Sequence, residues 1–460
     1  MAWPVSFGYF LQNSLLLATV FSMGHVGTKE LAACALATMW ANVSGFSLGI
    51  GMASSLDTLC SHSHTGSLDI YANGKHLQRA LVVMSVISVM VSALWCFTED
   101  LLLLAGQDAE VSRLAGIYIY YLIPSVFPYF AFECLKRYLQ SQGIMSGALF
   151  CIFLGSPLNA ILQYLLVWGP LNLGFIGAPL GLSITYIILP CFMVIYIRYF
   201  TKNSAWGGWD FAEAFNVFEI MELLKLGIPG VFMICTEWWA FEVIALIAGW
   251  FGEKSLAAQS IVLTTTSLAY MIPMGISIAA STRIGNALGA HCADMAKISS
   301  FSSLLLGGVI GTLSCTFFLV VKDSWGYLWT SDIEVVTLVA QILPVASVYQ
   351  LSDSIAVIGA GVLRGCGHQK IGAIINLCGY YILGIPVGLL FAFTFAWKVT
   401  GLFVGVAVGL IAVSIFYACW VLKLNFEQEC ENLRLKLKKT NNYLVLENDE
   451  EYYNEYQACE

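Results

Sequence analysis

Between Tyr138 and Ile197 the chain runs for 60 residues without an Asp, Glu, Lys or Arg. No other feature restricts the fold as tightly. Shorter charge-free runs occupy 1–28, 31–56, 80–98, 114–132, 255–282, 298–321, 371–397 and 399–422. A hydrocarbon core about 30 Å thick is crossed by roughly 20 residues of helix. The 60-residue run is divided by "WGPLNLG" (168–174), whose Pro and Gly suit a tight turn, so it supplies two crossings. Twelve spans are expected, near 3–23, 31–56, 79–98, 114–139, 147–168, 175–199, 223–250, 256–282, 299–321, 335–363, 371–395 and 401–423. Composition agrees: 11% of the 460 residues are charged, 58% are hydrophobic and the mean hydropathy is +0.78. A soluble domain carries roughly 25% charged residues. The ten-residue alternation of a membrane β-barrel is absent, and the runs are apolar on every face. The fold class is therefore an all-α polytopic membrane protein of twelve helices. The first apolar stretch is a span rather than a signal peptide, because no basic residue precedes Lys29.

The chain is written twice. "GHVGTKELAACAL" (24–36) returns as "GWFGEKSLAAQSI" (249–261), and "GIGMASSLD" (49–57) as "GISIAASTR" (275–283). Further on, "YLQSQG" (138–143) aligns with "VLRGCG" (362–367), and "GFIGAPLG" (174–181) with "KVTGLFVG" (398–405). Six spans per half predict two parallel, pseudo-symmetric six-helix lobes about an axis along the membrane normal. The expected organisation is a first lobe over 1–199, a linker with an amphipathic helix over 200–222, a second lobe over 223–423 and an acidic, disordered tail over 424–460. An even number of spans puts both ends on one side. Loops on that side, with the tail, hold 16 Lys and Arg against 5 on the other. The positive-inside rule makes it the cytoplasmic side. No two of the fourteen cysteines are closer than eleven residues, so CxxC metal or redox motifs are absent.

Two lobes around a central cleft suit alternating access, and a coupled carrier needs charge inside the membrane. An acid at the centre of a membrane helix costs about 2.5–3.5 kcal/mol on insertion scales. Yet span 7, "ICTEWWAFEVIALIAGW", holds Glu237 and Glu242, and span 10 holds Asp353. A desolvated carboxyl near a second acid favours its neutral form and can exchange a proton near neutral pH. Glu242 lies five residues beyond Glu237, about 140° around the helix and roughly 7.5 Å further along, so the two cannot share one face. Trp238, Trp239, Tyr270 and Tyr349 lie near the acids and could bind organic cations through their rings. Asn42, Asn159, Gln163, Gln350 and Asn376 are uncharged polar groups within spans, suited to lining a cavity or to bonding between helices. In the first lobe, Glu133 is read as a local ion pair with Lys136 and Arg137 near a helix end. Asp57 occupies the position that the repeat equates with Arg283, which predicts an ion pair latching the cytoplasmic gate.

"GHVGTKELAACALA", "SSLDTLCS", "CTEWWAFE", "AASTRIGNALGA", "GVLRGCGHQKIGAIIN" and "YYILGIPVG" together resemble the eukaryotic branch of the multidrug and toxin extrusion (MATE) family, its fungal members above all. The resemblance runs from Trp3 to about Leu424. It implies a twelve-helix, V-shaped antiporter that expels organic, mostly cationic compounds against protons or sodium. The family's two span-7 acids fall on Glu237 and Glu242, and its span-10 acid on Asp353. Thr264 stands where some animal members carry a further acid, and the span-1 aspartate of prokaryotic members is absent. Members usually begin with a hydrophilic tail, whereas Met1 opens almost directly onto the first span.

The expected function is proton-coupled export of small organic cations by a monomer in the plasma membrane or an organelle membrane such as the vacuole's. Sodium coupling is the weaker reading, since one lobe offers few further oxygen ligands. A lipid-linked substrate flippase would want a cationic cavity, and no mid-span Lys or Arg is visible. A membrane enzyme would want a nucleophile–base pair or a metal cluster, and none is visible either. No cofactor and no nucleic-acid partner are expected.

Overall fold

The computed structural model describes residues 1–201 and 205–439. Twelve of its helices are long and apolar enough to cross a bilayer. They are α1 (Ala2–Val26), α2 (Thr28–Gly66), α3 (Ala72–Cys96), α4 (Ala109–Ser141), α5 (Ser146–Trp168), α6 (Gly174–Phe200), α7 (Val217–Gly249), α8 (Glu253–Gly289), α9 (Ala293–Leu328), α10 (Ile333–Cys366), α11 (Gln369–Thr394) and α12 (Lys398–Lys423). A thirteenth helix, α13 (Phe426–Lys439), follows. Among the described residues no strand occurs, as backbone in lipid requires when it cannot close a barrel. Several helices outrun the charge-free segments that announced them. Helix α2 continues through Asp57 to Gly66 because that carboxylate is buried and paired rather than solvated.

The two large hydrophobic cores follow the repeat. One is built from α1–α6 with Leu223 and Ile234 of α7, the other from α7–α12 with the apolar side of α13. The same device fastens the first and fifth helices of each lobe. Asn159 Nδ2 donates to the carbonyl of Leu15 at 3.1 Å, and Asn376 Nδ2 to that of Met233 at 2.8 Å. Thr185 Oγ1 donates to Asn159 Oδ1 at 3.1 Å, and Tyr417 Oη to Asn376 Oδ1 at 3.0 Å. These two asparagines are fully occupied inside their lobes, so they pack helices and do not line a cavity.

Between α2 and α7 the lobes meet backbone to backbone. A Cβ added to Gly51 of α2 would lie 2.5 Å from the Cα of Val231 in α7, with no flexible side chain to yield. Gly230 faces it from α7, where a Cβ would come within 2.7 Å of the Gly51 carbonyl. Overpacking of this kind costs about 1–3 kcal/mol. Gly51→Ala should therefore lower the thermal stability of the purified protein, whereas Gly24→Ala, where a Cβ meets nothing within 4 Å, should not.

Two expected segments differ. Among its described residues the linker forms a four-residue helix, Phe211–Ala214, and the amphipathic stretch beyond it is the opening of α7 itself, capped by Asn216. Its apolar residues Phe211, Phe215, Phe218 and Met221 are exposed, as befits contact with lipid headgroups. The tail expected to be disordered from 424 is helical over Phe426–Lys439. Phe426, Cys430, Leu433 and Leu437 recur at helical spacing and are buried, a stripe masked by the surrounding charges. Residues 440–460 of that tail lie outside the described residues.

Candidate functional site

A cavity of about 160 Å³ lies between the lobes. Its second-lobe wall is made by Met233, Ile234, Glu237 and Trp238 of α7, Tyr270 of α8, and Val357, Ala360 and Arg364 of α10. The first lobe contributes Tyr9, Gln12 and Asn13 of α1, Asn42 and Phe46 of α2, Tyr129 and Glu133 of α4, and Tyr186 of α6. Asn42 stands at the head of a π-helical turn, Asn42–Phe46, a local widening of α2. Val43, in the same turn, accepts Trp239 Nε1 on its carbonyl at 3.0 Å, so this irregular turn also bonds across the lobes.

Glu237 is the acid that the second lobe presents to the cavity. Tyr270 Oη donates to Glu237 Oε1 at 3.3 Å, and Trp238 lies beside it on the same wall. Asp353 is buried within α10, on the helical stripe that continues through Val357, Ala360 and Arg364 into the cavity. It has no hydrogen-bond or ion-pair partner among the described residues, and it interacts electrostatically with Glu237. Glu242 is half-buried and outside the cavity lining, as its angle from Glu237 requires.

Four expected cavity residues lie elsewhere. Besides Asn159 and Asn376, Tyr349 is sealed in the second core, where its Oη donates to Thr266 Oγ1 at 2.7 Å and its ring stacks on Phe403. Gln350 is fully buried without a partner for either amide atom among the described residues, and does not line the cavity. A uniformly apolar helix carries no periodic signal to say which of its faces meets the cleft.

The expected Asp57–Arg283 latch is replaced by another. Arg137 Nη1 donates to Asp57 Oδ1 at 2.7 Å and Oδ2 at 2.6 Å, from α4 of the same lobe. Arg364 Nε, from α10 of the opposite lobe, stands 3.6 Å from Asp57 Oδ2. Equivalent positions in a pseudo-two-fold are related by rotation, which does not by itself bring them into contact. Around this ion triad, Thr58 Oγ1 donates to the Arg364 carbonyl at 2.5 Å and His62 Nε2 sits 2.8 Å from the Gly365 carbonyl. The lobes are thus sealed on the face that carries both ends of the transmembrane domain.

Two charged residues sit elsewhere than the sequence alone implies. Glu133 bonds Lys136 at 2.7 Å, as expected, but Arg137 turns away to Asp57, and Glu133 itself lines the cavity. Arg364 belongs to α10 rather than to the following loop, and places a cation at the cavity's edge, anchored by Ser277 Oγ at 2.9 Å. Its presence offsets the acids only in part, because Asp57 shares it.

A cleft between two membrane-embedded six-helix lobes, closed on one face and with acids on its walls, defines a transporter rather than an enzyme or a pore. The chain matches the MatE family over residues 4–165 and again over 229–390, one unit per lobe. It is 36% identical over 420 residues to multidrug and toxin extrusion protein 1 of Mus musculus, covering 91% of this chain and 73% of that one. It is 35% identical to an uncharacterized transporter of Schizosaccharomyces pombe, over 94% of this chain and 79% of the other. The crystal structure of the eukaryotic MATE transporter AtDTX14 superposes with a TM-score of 0.88 at 29% identity, over 95% of this chain and 98% of that one. The chain belongs to the multidrug and toxin extrusion family and is a multi-pass membrane transporter.

Proposed function

We propose that the protein is a proton-coupled antiporter that exports organic cations, with Glu237 as the group that binds cargo and proton in turn. The observation that carries this reading is a carboxyl on the wall of the interlobe cavity, next to Trp238 and bonded by Tyr270, with a second buried acid, Asp353, on the stripe of α10 that enters the same cavity. An ionised carboxylate attracts a cation and a protonated one does not. Proton uptake from the far side therefore expels cargo there, and proton loss on the terminal side favours reloading. The positive-inside count makes the terminal side cytoplasmic. Both walls of the cavity come from the two lobes of one chain, so a monomer can form it. At about 160 Å³ the space is smaller than ligand pockets of about 300–1,000 Å³. The lobes must part to admit a drug-sized cargo.

Reconstitution in liposomes tests the reading. A fluorescent organic cation should move against an imposed inward proton gradient, and should stop when nigericin collapses it. Movement that follows a sodium gradient at uniform pH would assign a different coupling ion.

A further inference from the structure

Two residues of the cavity's first-lobe wall each carry a buried polar atom without a hydrogen-bond partner among the described residues. Glu133 Oε1 receives Lys136 Nζ at 2.7 Å and Gln12 Nε2 at 3.3 Å. Its other oxygen, Oε2, has no hydrogen-bond partner among the described residues, although the residue is only 1% exposed. The hydroxyl of Tyr9 is likewise unpartnered. Lys136 is committed: its Nζ also reaches Gln12 Oε1 at 3.4 Å and sits 4.4 Å from the centroid of the Tyr9 ring. The wall's fixed charge is thus balanced, while one carboxylate oxygen and one phenol stand without a partner, both covered while the lobes are closed and open to a cargo only when the lobes part. Buried polar atoms are almost always satisfied in native proteins, and two that belong to residues of the cavity wall can be completed by what enters the cavity. What Glu133 Oε2 lacks is an N–H or O–H donor.

Organic cations divide on that chemistry. A guanidinium or protonated amine brings N–H donors, and a charge-assisted hydrogen bond to a carboxylate is the strong kind. A fully N-alkylated cation has the same charge and no donor; aromatic faces can hold it, but Glu133 Oε2 would be covered and left unpaired. Sites built to bond a donor reject analogues lacking it far more sharply than apolar pockets reject a methylene.

We propose that Glu133 and Tyr9 form a donor-reading subsite, which makes the carrier favour cations that bear N–H groups over their N-permethylated counterparts. This deepens the cation-export reading and rests on it. In the loaded carrier Glu237 meets the charge from the second lobe, while Glu133 Oε2 and Tyr9 Oη bond the N–H edge from the first. Both lobes then grip one cargo.

The test compares an arylalkylguanidinium with its fully N-methylated analogue, since both remain charged at every working pH. Transport by wild type, Tyr9→Phe and the paired variant Glu133→Gln/Lys136→Met is measured in liposomes under the same proton gradient. The paired change removes both members of the ion pair together, and Tyr9→Phe is nearly isosteric, so a folded variant is in hand. The ratio of kcat/KM for the two cargoes should favour the N–H cation in the wild type. It should fall about fivefold in Tyr9→Phe and about tenfold or more in the paired variant, through KM. A ratio that stays at the wild-type value, whether both cargoes slow together or neither does, overturns the subsite. If the wild type moves neither cargo with the proton gradient, the coupling reading fails. The subsite is then still judged by the ratio of binding constants, read from quenching of tryptophan fluorescence at fixed pH.

Discussion

Glu237→Gln should abolish proton-driven cation transport while leaving a folded, membrane-inserted protein. Glutamine has nearly the shape of the protonated acid, so it keeps the contact with Tyr270 Oη and disturbs little packing. It cannot ionise, and two consequences follow. The cargo loses its charged partner, a hydrogen bond to charge being worth about 1.5–3 kcal/mol, which is about ten- to a hundredfold in affinity. The carrier also loses the site where proton and cargo exclude one another, so the gradient no longer drives anything. Asp353→Asn should act in the same direction, because its carboxyl lies on the stripe of α10 that enters the cavity and interacts with Glu237. If the two acids work as a unit, the double variant should be barely worse than either single one. Glu242→Gln, outside the cavity lining, should retain most of the gradient response. Uptake of a fluorescent cation into acid-inside liposomes reads all four variants, with circular dichroism confirming the fold. Wild-type uptake by both Glu237→Gln and Asp353→Asn would remove the basis of the assignment.

Much of this was legible in the chain, for reasons that particular residues show. Charge-free runs of helix-spanning length locate membrane helices because lipid excludes unpaired charge, and the repeat located the lobes because each half must build its own core. Glu237 stood out for the same reason: an acid in the middle of an apolar helix is costly unless it works. The failures share a physical cause too. Tyr349 and Gln350 sit one residue apart on α10, and nothing in a helix surrounded by apolar partners distinguishes the face toward the cleft from the face toward its own lobe. Arg137 lies at helical distance from Glu133, so a local pair was the natural reading, but a long side chain can choose a partner on another helix and it chose Asp57. Arg364 counted toward the loops because charge usually marks the end of a span. Here the helix carries it inward to meet an acid of the other lobe.

That ion triad supports the second large expected effect. Asp57 is the only anion shared by Arg137 and Arg364 among the described ion pairs, and all three side chains are nearly inaccessible to water. Asp57→Asn would leave two buried guanidiniums facing one another across the lobe interface, where removing one partner of a buried pair costs about 3–5 kcal/mol. That loss falls on one conformation, the one sealed at the terminal face. The protein has a second way out besides unfolding: it can part the lobes there and hydrate both cations. Asp57→Asn should therefore lower the melting temperature by several degrees, and should make the triad region reachable from the terminal side. Limited proteolysis or hydrogen exchange of the peptides containing Thr58 and Gly365 reads the second effect, since the bonds of Thr58 to the Arg364 carbonyl and of His62 to the Gly365 carbonyl would break with the seal. Adding Arg364→Gln to Asp57→Asn should recover part of the stability, because it removes one of the stranded charges, and the recovered fraction measures the coupling across the lobes. Arg283→Gln should show no such coupling with Asp57, since the ion pairs of Asp57 are with Arg137 and Arg364. A coupling between Asp57 and Arg283 larger than that between Asp57 and Arg364 would restore the latch expected from the repeat, and would mean that the ion pairs exchange between the sealed state and the open one.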